Sequence, residues 1–179
     1  MLNLILQCFY FIFPAYLANM APIIVKDIFK NLAVPIDFNK KINNKPIFGK
    51  NKTFRGLIFG VIFAIIFAYL QFILYSNNIL VDLAIIDYSN WLLIGFLMGL
   101  GAIFGDLAES FVKRRINYEP GKSFVPFDQL DFVIGALIFV YPLAVLSLNK
   151  IIIILLLSFV LHIMVNHIAF YSGIRKEKW

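Results

Sequence analysis

The stretch GDLAESFVKRRINYEPGKSFVPFDQLD, residues 105–131, places five acidic and four basic side chains in 27 positions between two apolar runs. Over the 179 residues as a whole, 61% are hydrophobic and only 15% are charged. Soluble domains carry about 25% charged residues, so this deficit indicates that lipid is the solvent for most of the chain. The charged stretch must then lie where the chain leaves the membrane.

Outside this stretch, the sequence contains long runs without Asp, Glu, Lys or Arg. A helix of about 20 apolar residues crosses a hydrocarbon core of ~30 Å, so each run can form one span. The first run lacks a basic segment at its start and is too long for the apolar part of a signal peptide, so we expect a span there as well. We predict an all-α, polytopic membrane protein with a single membrane-embedded domain over residues 1–179 and about five spans, at about 2–25, 56–76, 88–106, 132–149 and 151–171.

The basic residues predict the orientation of these spans. Fifteen of the 16 Lys and Arg residues fall in segment 26–55, in segment 107–131 or in the C-terminal tail, whereas the connection 76–87 contains none. By the positive-inside rule, both segments are cytoplasmic loops and the N-terminus lies outside. We therefore expect a multi-pass protein of the cell membrane whose active site faces the cytoplasm. This distribution also explains the net charge of +6 without a nucleic-acid partner.

The first loop ends in IFGKNKTFRG, residues 47–56, directly before a predicted span. Lys50, Lys52, Thr53 and Arg55 offer cationic and hydroxyl donors that suit phosphate oxygens. The same cluster is also explained as a membrane anchor that binds anionic headgroups. The spacing differs from that of a P-loop.

The second loop carries the stronger chemical signal. If the third span continues as a helix, Asp106, Ser110 and Lys113 share one face, and Glu109 can pair with Lys113 across one turn. Asp128 and Asp131 stand at the head of the next apolar run, where acidic residues can also simply stabilise a helix N-terminus.

Three carboxylates at one membrane boundary favour a bound cation. Asp106, Asp128 and Asp131 repel one another at low dielectric unless a cation neutralises them. Mg²⁺ takes oxygen ligands from a few carboxylates and from substrate phosphates, and Lys113 and Arg114 stand nearby in the sequence. The pattern thus predicts a magnesium site beside a polyphosphate. In the first span, Asn19 can hydrogen-bond a ligand or cap a kink at Pro22.

These motifs, in this order, resemble the CTP-dependent phosphatidate cytidylyltransferase superfamily. Its signature is Ser-x-x-Lys-Arg followed by Asp-x-x-Asp, here S110-F-V-K113-R114 and D128-Q-L-D131. The archaeal branch, the CDP-archaeol synthases, is matched by A18-N19-x-x-P22, by G49-K50-x-K52-T53-x-R55-G56 and by G105-D106-x-x-x-S110. An acid after the Lys-Arg pair and a His-Gly-Gly before the Asp pair, typical of the bacterial enzymes, are missing, and Gln129 replaces an Arg.

The resemblance implies an Mg²⁺-dependent enzyme that transfers a cytidylyl group from CTP to an isoprenoid ether lipid phosphate, 2,3-bis-O-(geranylgeranyl)-sn-glycerol 1-phosphate, and releases pyrophosphate. It implies that Asp106, Asp128 and Asp131 are catalytic metal ligands and that Lys113, also catalytic, acts with Arg114 on the triphosphate. The remaining residues would bind phosphate, nucleotide or lipid headgroup: Lys50, Lys52, Thr53, Arg55, Ser110 and Asn19. The isoprenoid chains of the lipid would lie in an apolar groove between spans, open to the membrane lipids.

Two other functions fit the class of protein less well. A CDP-alcohol phosphatidyltransferase has the pattern G-x-x-x-D-x-x-x-D after an upstream D-G dipeptide, which this sequence lacks. A small transporter or channel would carry ionisable residues in the middle of its spans. Here the candidate residues stand at the predicted cytoplasmic ends of the spans, so this non-enzymatic alternative is the less favoured one.

Overall fold

A computed structural model describes residues 2–119 and 122–173, and its architecture is helical. The described residues contain five α-helices, α1 (Leu2–Ile24), α2 (Phe54–Ser76), α3 (Trp91–Arg115), α4 (Phe127–Val140) and α5 (Leu148–Tyr171). Two short 3-10 turns, Lys30–Leu32 and Val81–Leu83, lie in the connections. A two-stranded antiparallel hairpin, β1 (Lys41–Ile42) and β2 (Lys45–Pro46), interrupts the first loop. The prediction of an all-helical membrane protein is confirmed.

Four of the described helices are long and apolar enough to cross a membrane: Leu2–Ile24, Phe54–Ser76, Trp91–Arg115 and Leu148–Ile168. The fourth helix, α4, has 14 residues. At about 1.5 Å per residue it is shorter than a hydrocarbon core of ~30 Å. Pro142 explains where it ends, because proline has no N–H to donate and its ring clashes with the carbonyl four residues earlier. The run 132–149 is therefore divided between α4, a turn and the start of α5.

Helix α3 lies between α2 and α4 and packs against both of them through glycines. A Cβ atom on Gly99 would lie 2.9 Å from the Cα of Val61 in α2. A Cβ atom on Gly101 would overlap the carbonyl of Gly135 in α4, and one on Gly105 would overlap the carbonyl of Asp131. These glycines are packing residues, and the backbones of α3 and α4 touch directly at the turn that carries the charged residues.

Helices α1 and α5 complete the bundle. The phenol of Tyr16 in α1 donates a hydrogen bond of 2.7 Å to the hydroxyl of Ser158 in α5, and Ser158 donates to the carbonyl of Ile154. Phe132 of α4 packs edge-on against Tyr16, with ring centroids 5.4 Å apart. These contacts bury polar groups with partners, as an apolar solvent requires.

Candidate active site

The candidate site lies at the end of the bundle where the first loop meets the last turns of α3 and the first turns of α4. Because α3 continues as a helix to Arg115, Asp106, Glu109 and Lys113 all stand on regular helical turns. Asp128 and Asp131 occupy the start of α4, which begins at Phe127. The direct backbone contact between Gly105 and Asp131 brings the two sets of side chains together.

A group of three carboxylates occupies the centre of this site. One oxygen from each of Asp106, Glu109 and Asp131 lies within 4.8 Å of the others. Carboxylate oxygens at this spacing can hold a hard divalent cation, whose preferred ligands are oxygens. The structure therefore brings together two residues of the predicted set, Asp106 and Asp131, and adds Glu109. The spacing of Glu109 from Asp106, three residues along one helix, was the signal available in the sequence.

Asp128 lies beside this group and pairs with a buried lysine. The ammonium of Lys113 contacts Asp128 Oδ1 and, at 2.7 Å, Glu109 Oε1. The side chains of Lys113 and Glu109 are only 11% and 7% exposed. The other oxygen of Asp128 accepts the backbone N–H of Phe124 at 2.9 Å. The salt bridge expected between Glu109 and Lys113 is thus confirmed, and Lys113 joins it to Asp128.

The formal charges of the site are unbalanced. Four carboxylates (Asp106, Glu109, Asp128, Asp131) face two ammonium groups (Lys52, Lys113), which leaves an excess of two negative charges. Carboxylates crowded into a poorly solvated region repel one another unless a positive charge is added. A divalent cation both supplies this charge and matches the oxygen donors, so the residues present fit Mg²⁺.

Lys52 is the residue of the first loop that reaches this cluster. Its ammonium donates to both oxygens of Asp106, each at 2.6 Å, and the two side chains are 24% and 31% exposed. The neighbouring Lys50 is exposed. Thr53 caps α2, where its hydroxyl accepts the N–H of Gly56 at 3.3 Å.

Arg55 points to a different place. Its guanidinium donates to the carbonyl of Lys26 at 2.6 Å and to that of Ile28 at 3.2 Å. These carbonyls follow the end of α1. The contacts fix the first loop to the start of α2, and a contact between Arg55 and phosphate stays a prediction.

A small cavity opens between α1, α2 and α3 beside the carboxylates. Its volume is about 60 Å³. Its polar lining comes from Asn19, Asn51, Lys52, Thr53 and Asp106, all of which except Asn51 are predicted from the sequence motifs, and apolar residues such as Pro22 and Leu107 complete it. The cavity thus combines donors for an anion with an apolar wall.

The two remaining predicted residues lie on α3 close to the cluster. Ser110 is 5% exposed and stands one turn after Asp106. Arg114 is half-buried and stands between Lys113 and Arg115 in the last turn of the helix. Pro120 and Gly121, which the sequence suggests as helix breakers, lie outside the described residues, as do the tail residues Arg175, Lys176 and Lys178.

A buried aspartate shapes the first loop ahead of Lys52. Asp37 is 6% exposed and accepts backbone N–H groups from Asn39 and Phe48 at 2.9 Å and from Gly49 at 3.1 Å. Burial would raise the pKa of Asp37, but these donors outweigh it and hold the pKa below its usual value. Because the pKa is depressed, this stabilisation is present at neutral pH and is lost as the pH falls through the pKa of the folded state. The loop is therefore a folded element.

Comparisons with known proteins agree with this architecture. The family model described as "CarS-like: CDP-archaeol synthase" matches residues 1–179. A CDP-archaeol synthase from Methanocaldococcus jannaschii is 36% identical over 182 residues, covering 99% of this chain and 98% of the relative. One from Pyrococcus furiosus is 35% identical over 176 residues, covering 98% and 95%. A solved structure described as an intramembrane enzyme for archaeal membrane lipids biosynthesis superposes with a TM-score of 0.75 at 26% identity, covering 90% of this chain and 94% of that one.

Proposed function

The chain belongs to the CDP-archaeol synthase family and is thus a CTP-dependent cytidylyltransferase, and we propose that its acceptor is 2,3-bis-O-(geranylgeranyl)-sn-glycerol 1-phosphate. The products are the CDP derivative of this lipid and pyrophosphate. Family membership confirms the enzymatic interpretation over that of a transporter or channel. The choice of acceptor rests on the resemblance and on the apolar wall beside the charged cluster.

The observation that carries the proposed mechanism is the carboxylate group formed by Asp106, Glu109 and Asp131 between two lysines. Two polyanionic substrates, CTP and a lipid phosphate, must meet for the reaction to occur. Their mutual repulsion is the main obstacle, because a phosphate monoester is already a nucleophile. A site that places two lysines beside carboxylates able to hold a cation reduces this repulsion.

Asp106, Glu109 and Asp131 would hold Mg²⁺, with Asp128 at the edge of the set through Lys113. When bound, the ion supplies Lewis-acid neutralisation of phosphate charge. The fit of the residues to this ion follows from their oxygen donors and from the excess negative charge they share. Asp128 keeps Lys113 in place, and its own service as a metal ligand stays a prediction.

The lipid phosphate oxygen attacks the α-phosphorus of CTP, and the bond from that phosphorus to the β-phosphate oxygen breaks to release pyrophosphate. Lys113 and Arg114 balance the charge that develops on the departing pyrophosphate. The first loop binds phosphate oxygens through Lys50, Lys52 and Thr53. Ser110 and Asn19 contribute hydrogen bonds to the nucleotide or to the lipid headgroup.

The whole chain, residues 1–179, forms one catalytic domain of the cell membrane. The N-terminus lies outside and the site faces the cytoplasm, because basic residues are concentrated in the two loops that border the site. CTP then reaches the cluster from water, while the isoprenoid chains remain in the bilayer between helices.

Purified full-length protein in detergent, given CTP, Mg²⁺ and the geranylgeranylated lipid phosphate, should release pyrophosphate. We expect Asp131→Asn to lower kcat/KM by at least about 100-fold, because it removes an oxygen donor and a charge from the cluster. The control is Ala108→Ser, at an exposed position of α3 between Asp106 and Glu109. Absence of turnover with this acceptor, or full activity of Asp131→Asn, contradicts the proposal, and phosphatidic acid in parallel tests the choice of lipid.

A further inference from the structure

Arg115, the last residue of α3, makes a dense set of contacts with the hairpin of the first loop. Its guanidinium donates to the carbonyls of Ile42 at 2.9 Å, of Lys45 at 3.2 Å and of Pro46. In return, the ammonium of Lys45 donates to the carbonyl of Arg115 at 2.8 Å. The hairpin is thereby joined to α3 from both sides.

Aromatic packing supports the same junction. The guanidinium of Arg115 lies over the ring of Phe111, 5.1 Å from its centroid, one turn earlier on α3. Phe111 also packs against Phe48 of the first loop, with ring centroids 6.4 Å apart. A guanidinium placed on an aromatic face and against several carbonyls is held in one orientation, which its planar fork of donors allows and a lysine ammonium cannot reproduce.

This junction continues along the loop to Lys52. Phe48 and Gly49 donate to the buried carboxylate of Asp37, as described above. The carbonyl of Lys52 accepts the N–H of Ile36 at 2.8 Å, and Phe54 donates to Val34 at 3.0 Å. The hairpin, the Asp37 turn and the Lys52 backbone therefore form one connected unit.

Helix α3 contacts the first loop at two places. Arg115 holds the loop at the end of α3, and nine residues earlier Asp106 receives the ammonium of Lys52. We propose that Arg115 is a positioning residue that fixes the first loop on α3 and so aims Lys52 at the substrate phosphates. This inference rests on the proposed function, since it concerns how the loop presents its cation to CTP.

Kinetics of the full-length protein test this role. When Arg115→Ala releases the loop, only a fraction of molecules presents Lys52 correctly, and the apparent affinity falls by that fraction. If the fraction drops to about one tenth, KM for CTP rises about tenfold, while kcat at saturating CTP stays close to that of the wild type. We expect Arg115→Lys to restore little of this loss, and Lys30→Ala, an exposed lysine of the same loop, to leave KM unchanged.

A double variant separates positioning from general stability. If Arg115 acts through Lys52, adding Arg115→Ala to Lys52→Ala raises KM for CTP hardly further, because the residue being aimed is already gone. A purely structural role predicts that the two losses multiply. An unchanged KM in Arg115→Ala, or multiplied losses in the double variant, overturns the proposal.

Limited digestion with trypsin tests the junction without using activity. Lys40 directly precedes the hairpin and Lys41 is its first residue, so a released hairpin should be cut there faster in Arg115→Ala than in the wild type or in Lys30→Ala. Equal cleavage rates in Arg115→Ala and the wild type contradict the junction even if CTP turnover is normal. Faster cleavage of Arg115→Ala, combined with no turnover by the wild type, contradicts the proposed function alone. If Arg115→Ala does not fold, Lys45→Ala removes only one of the contacts and should show the same faster cleavage.

Discussion

Lys113 joins two acidic residues that the sequence alone separates by 19 positions, Glu109 on α3 and Asp128 on α4. A buried ammonium without partners would be strongly disfavoured, and these two carboxylates provide its partners. The two carboxylates nevertheless differ in the contacts that they make besides Lys113. Glu109 also belongs to the group with Asp106 and Asp131, whereas Asp128 accepts the N–H of Phe124.

This difference gives a prediction for single residues. Glu109→Gln should raise the Mg²⁺ concentration needed for half-maximal activity by at least about tenfold, because it removes a donor from the group. Asp128→Asn should mainly lower kcat, since it removes one of the two carboxylates that hold Lys113 and leaves the three grouped carboxylates intact. Magnesium titrations of pyrophosphate release measure both effects. The reverse pattern would make Asp128 a metal ligand and leave Glu109 with the sole role of a partner for Lys113.

At the scale of elements, the crossing of α3 and α4 sets the geometry of the site. Gly101 and Gly135 meet backbone to backbone, and one turn on, Gly105 meets the carbonyl of Asp131. Side chains on neighbouring helices usually keep the axes 8–10 Å apart, and glycines allow a closer approach. The side chains of Asp106 and Asp131 lie close together because of this contact, since Asp106 directly follows Gly105 and Asp131 is the residue that Gly105 meets.

Substitution of Gly105 should therefore affect catalysis before it affects folding. Gly105→Ala places a methyl group against the Asp131 carbonyl and forces the helices apart. A displacement of ~1 Å can cost about 100-fold in rate, so we expect a loss of kcat/KM of that order. The control is Ala108→Leu on an exposed position of the same helix. Near-normal activity of Gly105→Ala in a folded, monodisperse sample would contradict the role of this contact.

At the scale of the whole molecule, the charged loops and the cluster lie at one end of the bundle. The first loop and the connection after α3 meet there, and the connection 76–87 lies at the opposite end. The basic residues are distributed in the same way, with none between residues 76 and 87. The orientation proposed for the membrane follows from this asymmetry.

Cysteine labelling in intact cells tests the orientation. The only cysteine, Cys8, is buried, so Cys8→Ala provides the background. In that background, Asn78→Cys should react with a membrane-impermeant maleimide from outside, and Asn44→Cys should react only after the membrane is opened. Labelling of Asn44→Cys in intact cells would reverse the proposed orientation and place the site outside.

The sequence by itself showed that lipid is the solvent for most of the chain and that the fold is helical, and it identified most of the charged residues of the candidate site. Long runs without charge are dictated by the cost of placing ions in hydrocarbon, and this can be recognised without a structure. The order of the Ser-Lys-Arg and Asp-x-x-Asp motifs likewise indicated the family, because each motif keeps its spacing within one segment. Asp131 was identified from the Asp-x-x-Asp motif, and Lys52 and Asp106 were identified from the motifs that begin at Gly49 and Gly105.

Only the tertiary structure decided which of these residues meet. Glu109 joins Asp106 and Asp131 because α3 and α4 touch at Gly105, and Asp128 turns to Lys113 instead. Arg115 acquires its partners from a hairpin about 70 positions earlier in the chain. Local periodicity places side chains on one helix face, but the contact between two elements depends on how closely their backbones approach. That approach is fixed by packing, here by glycines, and no spacing within a single segment encodes it.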